Sequence, residues 1–284
     1  MGFYIRFPNG LKKAVTLSYD DGVRQDRKLL KILNQYGLKC TFNINSGCFD
    51  PTAKFDAAEG RMSKEEILAF IKDLPHEIAL HGLYHEWDHL LPNNMMADEI
   101  IQDRKNLEKL TGKITRGMAY PFGALNDRLI ECLKMCGIVY SRTTAASENF
   151  NLPEDWLRLN PTCHHSHPRL FELCDAFLND DPKHALMFYL WGHSYEFDRN
   201  TENNSWERIE KFAEKMSGHS DIWYATNIEI YNYTEAFNRL LFSTDGSMVY
   251  NPNCIDIWFW RFDACHWGEE KDYCVKAGQT LILD

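Results

Sequence analysis

Along roughly the first 240 residues, short apolar runs alternate with segments whose apolar positions recur every three or four residues. KKAVTLSYDDG (12–22) predicts a strand. VRQDRKLLKILNQYG (23–37) predicts a helix with Leu29, Ile32, Leu33 and Tyr36 on one face, stopping at Gly37. KCTFNINSG is a second strand. After a loop to Met62, SKEEILAFIKDLP opens with Ser63 and Glu66 at the spacing of a capping box. HEIALHGLYHE is a third strand running into a His-rich loop, and MMADEIIQDRKNLEKLTG a helix ending at Gly112. TRGMAYPFG predicts a strand and turn, LNDRLIECLKMCG a helix, VYSRTT and LNPTCHH two further strand ends, and PRLFELCDAFLND a helix. ALMFYLWGHSYEF is a strongly apolar strand ending in His193. A helix over SWERIEKFAEKMSG and one more strand and helix over IWYATNIEIYNYTEAFNRLL follow.

Repeated strand–helix units predict a parallel sheet with helices outside it. About seven units favour an α/β barrel over an open doubly wound sheet, with residues 1–240 forming it. From Leu241 the texture changes: FSTDGSMVYNPNCIDIWFWRF alternates, carries an Asp-Gly turn signal and is rich in β-formers. Residues 241–284 are therefore expected to form a small antiparallel β appendage. At about 40 residues it is too small to fold alone, so it should dock on the barrel.

Charge narrows the partners. Among 284 residues the formal net charge is -10, with no basic run to reverse it locally, which argues against nucleic acid. No stretch approaches the roughly 20 apolar residues of a membrane span. MGFYIRFPNGLKKAV has no signal-like apolar core, so a cytoplasmic setting is expected. The nine cysteines, at 40, 48, 132, 136, 163, 174, 254, 265 and 274, form no paired C-x-x-C knuckles. They read as free thiols in a reducing compartment, with Cys132 and Cys136 on a core-facing helix side.

The polar candidates fall just after strands, where α/β barrels build their chemistry. Asp20 and Asp21 stand side by side at a strand end before Gly22, and two adjacent carboxylates there are costly unless a cation offsets them. HGLYH places His81 and His85 four apart. Two imidazoles and one carboxylate make a frequent facial set for Zn²⁺, Fe²⁺ or Co²⁺, which would leave the second carboxylate as a base. His193, after the late apolar strand, suggests a general acid. The plain alternatives are a turn for the Asp pair and a hydrogen-bonded structural role for His193.

In order and style, TLSYDDG, HGLYH, AYPFG and YLWGH resemble the polysaccharide deacetylases with the NodB-homology fold, the fourth carbohydrate esterase family, over roughly residues 11–235. The resemblance implies a distorted (β/α)7 barrel and metal-dependent removal of N- or O-linked acyl groups from sugars. Carried over residue by residue, Asp20 matches the general base, Asp21, His81 and His85 the metal ligands, Phe122 the oxyanion-hole backbone N–H, and His193 the catalytic acid. Zn²⁺ is the first expectation for the divalent ion, with Co²⁺, Fe²⁺ or Ni²⁺ as alternatives.

Two departures stand out. The family's Arg that holds the catalytic Asp is replaced by Ala119, and Arg116 lies too far back to be assumed a substitute. The Asp-Trp pair that orients the catalytic His has no clear counterpart; Asp155 with Trp156, or Asp198, are the candidates. His164, His165 and His167 in PTCHHSH are read as a solvated loop, the alternative being a contribution to the same cleft. Trp87, Trp191 and Tyr195 flank the motifs and suit either sugar stacking or core packing. The expected substrate is an acylated saccharide or small amide. The alternatives are hydrolysis of a non-sugar C–N bond in a formamide or ureide, and a non-catalytic sugar-binding homologue. An oligomer is compatible with all three.

Overall fold

The computed structural model describes residues 2–49, 60–71, 75–262 and 271–283. After a first strand β1 (Gly2–Arg6) the chain enters β2 (Lys13–Asp20), buried along its whole length. KAVTLSYD alternates apolar and polar residues, and its buried polar side chains are partnered: the Thr16 hydroxyl donates to Asn227 Oδ1 at 2.7 Å, and Ser18 Oγ accepts from Asn43 Nδ2 at 2.7 Å. Six more strands line up with it: β3 (Cys40–Ile44), β4 (Glu77–Leu80), β5 (Gly117–Ala119), β6 (Tyr140–Arg142), β7 (Cys163–His164) and β8 (Leu186–Gly192). Their order across the sheet is β6-β5-β4-β3-β2-β8-β7, and each of these pairings is parallel. A short strand β9 (Ile222–Tyr224) pairs with the start of β2. The segment before β7 returns to β6: the Leu159 N–H donates to the Ser141 carbonyl at 3.1 Å, and the Thr143 N–H to that of Leu159 at 3.0 Å. The sheet thus curls round to the distorted seven-strand barrel expected from the sequence.

Helices α1 (Asp26–Gln35), α2 (Lys64–Ile71), α3 (Asn93–Thr111), α4 (Asp127–Met135), α5 (Leu170–Asn179), α6 (Trp206–Met216) and α7 (Asn227–Asn238) follow the strands. In α1 the buried residues include Leu29, Ile32 and Leu33, the predicted stripe, and Tyr36 packs half-buried beside them. The capping box forms before α2: the Ser63 N–H donates to the Glu66 carboxylate at 2.8 Å and the Glu66 N–H to Ser63 Oγ at 3.3 Å. Among the described residues, no helix is long and apolar enough to cross a membrane. The eight described cysteines are free, with Cys132 buried in α4; Cys265 lies outside the described residues.

Beyond α7 come β10 (Leu241–Phe242), β11 (Met248–Tyr250), β12 (Ile257–Phe262), β13 (Lys271–Val275) and β14 (Thr280–Ile282). They form two antiparallel sheets, β10-β11-β14 and β1-β12-β13. Both ends of the chain therefore build the appendage, since β1 pairs with β12 from Gly2 opposite Phe262 to Arg6 opposite Trp258. A second apolar cluster joins it to the barrel through Tyr189 of β8, Ile230 of α7, Val249 and Phe259. The Trp258 N–H also donates to the Tyr233 hydroxyl of α7 at 2.9 Å.

Candidate active site

At the C-terminal ends of the barrel strands the polar residues gather. Asp20 ends β2, and Asp21 and Gly22 turn away from it. His81 follows β4, Phe122 lies in the turn after β5, Arg142 ends β6, His164 ends β7 and His193 follows β8. Asp20, Asp21, His81, His85, Phe122 and His193 line one cavity of 390 Å³. A larger cavity of 840 Å³ opens at the other end of β4, lined by His76, Glu77 and Thr226 among others. It lies among the strand starts, so the smaller one, on the rim where barrel strands end, is the candidate site.

Local backbone is bent to make this arrangement. Among the described non-glycine residues, six have positive φ, and three of them are Asp21 (+81°), His85 (+58°) and Phe122 (+58°). Such residues cost about 1–3 kcal/mol each and concentrate where a site over-determines the chain. Gly22, at φ +63°, completes the Asp-Asp-Gly turn, and a β-carbon there would press on Ile44 at 3.3 Å.

Asp20 is held from two sides. Its Oδ1 accepts from Asn43 Nδ2 at 2.7 Å, and its Oδ2 accepts from an Arg142 guanidinium nitrogen. Both residues of the Asp20–Arg142 pair are buried, and the Arg142 guanidinium lies 4.2 Å from the Trp191 ring centroid. Burial alone would raise the Asp20 carboxyl pKa. The Arg142 charge, His81, His193 and the Asn43 bond outweigh it and hold the group well below the usual carboxylate range. Its Oδ2 lies 3.8 Å from His81 Nε2 and 3.9 Å from His193 Nε2, too far for direct hydrogen bonds.

Asp21 Oδ1 stands 3.8 Å from both His81 Nε2 and His85 Nε2. The His81 Nδ1–H donates to the Ala119 carbonyl at 2.9 Å, which leaves its Nε2 lone pair facing Asp21. Burial lowers the pKa of His81, and burial together with the neighbouring His81 pushes that of His85 down to about 4. Two neutral imidazoles and a carboxylate, with ligand atoms within 4.8 Å of one another, are the donor set a divalent ion takes. These residues fit the metal that the sequence implies.

The guanidinium that holds Asp20 comes from Arg142, one strand beyond the position of Ala119. Arg116 instead reaches out to Asn232. The cue was present in VYSRTT, a strand end with an Arg, but nothing local says that β6 lies close enough to reach Asp20. Arg61 was also not foreseen: it donates to Asp21 Oδ1 at 3.1 Å and approaches Cys48 Sγ at 3.2 Å. It arrives because residues 60–62 pair with the Gly22 turn.

The proposed orienting pairs lie elsewhere. Asp155 caps Leu157 and pairs with Arg158, Trp156 packs edge-on to Tyr231, and Asp198 accepts from Gln25 and Trp206. The solvated-loop reading of PTCHHSH is corrected: His165 is buried and stacks on Tyr19, and His164 is half-buried 6.2 Å from the His193 ring. A loop leaving a barrel strand points its first residues inward, which composition does not reveal. Trp87 and Phe122 stack at 4.2 Å with about half of each exposed, whereas Trp191 is buried.

The polysaccharide deacetylase family model matches residues 8–141, the stretch that carries Asp20, Asp21, His81, His85 and Phe122. Over that stretch the chain is similar to the polysaccharide deacetylases. Solved structures share the fold over about four fifths of the chain. A Mycobacterium smegmatis protein assigned to the polysaccharide deacetylases is 17% identical, with a TM-score of 0.59, covering 83% of this chain and 94% of that one. Puue allantoinase is 12% identical, with a TM-score of 0.60 over 80% of this chain and 91% of its own. A mutant of BA3943, a CE4 family pseudoenzyme with restored enzymatic activity, is 17% identical, with a TM-score of 0.50 over 80% of this chain and 69% of that one. No curated protein matches the sequence significantly.

Proposed function

We propose that this chain is a metal-dependent hydrolase that removes an N- or O-acyl group from a saccharide or sugar derivative. One observation carries the reading: the ionised Asp20 lies between the Asp21–His81–His85 donor set and the Nε2 of His193. A divalent ion held by those three ligands would supply Lewis acidity and a bound water of lowered pKa. Asp20, fixed by Arg142 and Asn43, accepts the proton of the attacking water. The Phe122 backbone N–H, in its positive-φ turn, donates to the developing oxyanion. His193 Nε2 delivers a proton to the departing amine or alkoxide. The exposed Trp87–Phe122 stack offers a flat apolar platform beside the cleft, suited to one face of a pyranose.

A cytoplasmic setting, expected from the sequence, belongs to this proposal and would make the substrate a soluble saccharide or nucleotide-sugar. The likeness of fold to an allantoinase favours one second reading, hydrolysis of a non-sugar C–N bond at the same site. The non-catalytic reading rested on Ala119 in place of Arg, and Arg142 on Asp20 removes that motive.

The test is acyl release by the Zn²⁺- or Co²⁺-loaded protein from N-acetylated and O-acetylated sugars, run beside formamides and ureides. The proposal expects acetate from a sugar and at least a roughly 100-fold loss in Asp20→Asn. Turnover confined to a ureide or formamide would favour the second reading, and sugar binding without turnover would overturn both.

A further inference from the structure

Two adjacent buried carboxylates call for cations, and the chain brings one arginine to each. Arg142 pairs with Asp20, and Arg61 Nη2 lies 3.1 Å from Asp21 Oδ1. The Asp21 side chain is 5% exposed and that of Arg61 11%, so this second pair is nearly as enclosed as the first. The charges of the Asp pair therefore cancel within the protein itself.

The two arginines differ in what they hold. Asp20 lies outside the three-ligand set, whereas Arg61 sits on one of the ligands. The oxygen it meets, Asp21 Oδ1, is the one that stands 3.8 Å from both His81 Nε2 and His85 Nε2. An ion held by the three would share that oxygen with a guanidinium. A carboxylate oxygen has lone pairs for both, but both partners are cations. Among the described residues Asp21 is the one carboxylate that Arg61 pairs with. Its Nη1 approaches Cys48 Sγ at 3.2 Å, where burial pushes the thiol pKa up, and its Nε is buried with no hydrogen-bond partner. No second anion among these neighbours draws Arg61 away from Asp21.

Two effects of Arg61 on the ion oppose each other. If it orients Asp21 as a ligand, losing it weakens metal binding by about 10–100-fold. Asp21, however, is aimed by its backbone: its N–H donates to the Asn43 carbonyl at 3.0 Å, and its φ is +81°. Charge acts the other way. A unit positive charge within a few ångströms of a divalent ion lowers its affinity by about tenfold even at the dielectric of water, and by more in an enclosed cleft. With the backbone already fixing Asp21, the charge effect wins.

We propose that Arg61 is a positioning residue that acts through Asp21 to set metal affinity. It neutralises Asp21 when no ion is bound, and its charge makes a bound Zn²⁺ or Co²⁺ weakly held and readily exchanged. Sharing Asp21 Oδ1 also draws electron density from that ligand, which leaves the ion a stronger Lewis acid. The inference rests on the reading of Asp21, His81 and His85 as a metal centre.

The test is Co²⁺ and Zn²⁺ affinity by chelator competition on the full chain, with circular dichroism to verify folding of the variants. Arg61→Met and Arg61→Gln remove the charge and should each bind at least about tenfold tighter than wild type. Arg61→Lys keeps the charge and should stay within about threefold of wild type. Affinity unchanged or weaker in the folded neutral variants overturns the proposal, and so does equal tightening in Arg61→Lys. Urea unfolding in chelator gives a metal-free readout: Arg61→Met should lower the midpoint, and adding Asp21→Asn should restore much of it. A midpoint that Arg61→Met leaves unmoved overturns the neutralising role. The two readings fail distinguishably: equal metal binding in all four proteins sinks only the role of Arg61, whereas no binding in any of them sinks the metal centre and that role with it.

Discussion

Replacing Arg142 by methionine removes the guanidinium from Asp20 while roughly keeping the side chain's volume. Arg142 is 1% exposed and Asp20 2%, so the carboxylate left behind is buried without its counter-charge. Breaking such a pair on one side costs about 3–5 kcal/mol. Loss of the stacking on Trp191, 4.2 Å away, adds about 0.5–2 kcal/mol. Asp20→Asn alone leaves the guanidinium unpaired. The double variant removes both charges and should cost less than the sum of the singles, by about 1.5–3 kcal/mol. The assay is urea unfolding of the four proteins in chelator, so that metal binding does not offset the loss. Arg142→Lys should recover part of the stability but not the activity, because an ammonium lacks the planar fork. A cost below about 1 kcal/mol for Arg142→Met, additive with Asp20→Asn, would refute the claim that Arg142 supplies the missing Arg.

Glu77, at the far end of β4, accepts from Tyr140, Thr41 and the Ile228 N–H, and burial pushes its carboxyl up to about 7. Its protonated form therefore favours the fold: the contribution is complete below about pH 4.5 and lost as pH rises through about 7, at up to about 1.4 kcal/mol per pH unit. Glu77→Gln should flatten that decline in urea midpoints between pH 5 and 8, and an unchanged slope would count against it. Trp87→Ala should raise KM for a sugar substrate several-fold with kcat nearly unchanged; a fall in kcat alone would contradict the platform reading. Gly192 has no room for a β-carbon, which would fall 1.9 Å from His165 Nδ1. Gly192→Ala should displace His165 and cost about 1–3 kcal/mol in thermal or urea unfolding, and a neutral result would show that the ring yields freely.

What the sequence revealed and what it hid divide along one line. The strand and helix pattern was legible because burial writes it locally: KAVTLSYD is covered on both faces, and Leu29, Ile32 and Leu33 share one side of α1. Asp20, Asp21, His81 and His85 were legible because each pair is close in sequence and sits at a strand end. Arg142 was not, since its reach to Asp20 depends on how far the sheet curls between β6 and β2. The same holds for Arg61, brought in by the pairing of residues 60–62 with the Gly22 turn. His165 looked solvated because its neighbours Ser166 and His167 are polar, but the Gly192 backbone and the Tyr19 ring enclose it. The strand β1 carries no sign that it will pair with residues more than 250 positions away.

The most direct test of the metal-centred hydrolase is acyl release measured before chelation, after chelation, and after Zn²⁺ or Co²⁺ is returned, in wild type and in Asp21→Asn. The account predicts release that disappears with the ion and comes back with it in wild type, while Asp21→Asn stays at least about 10-fold weaker in metal affinity and correspondingly inactive. Hydrolysis that persists through chelation, or that Asp21→Asn retains in full, would contradict it.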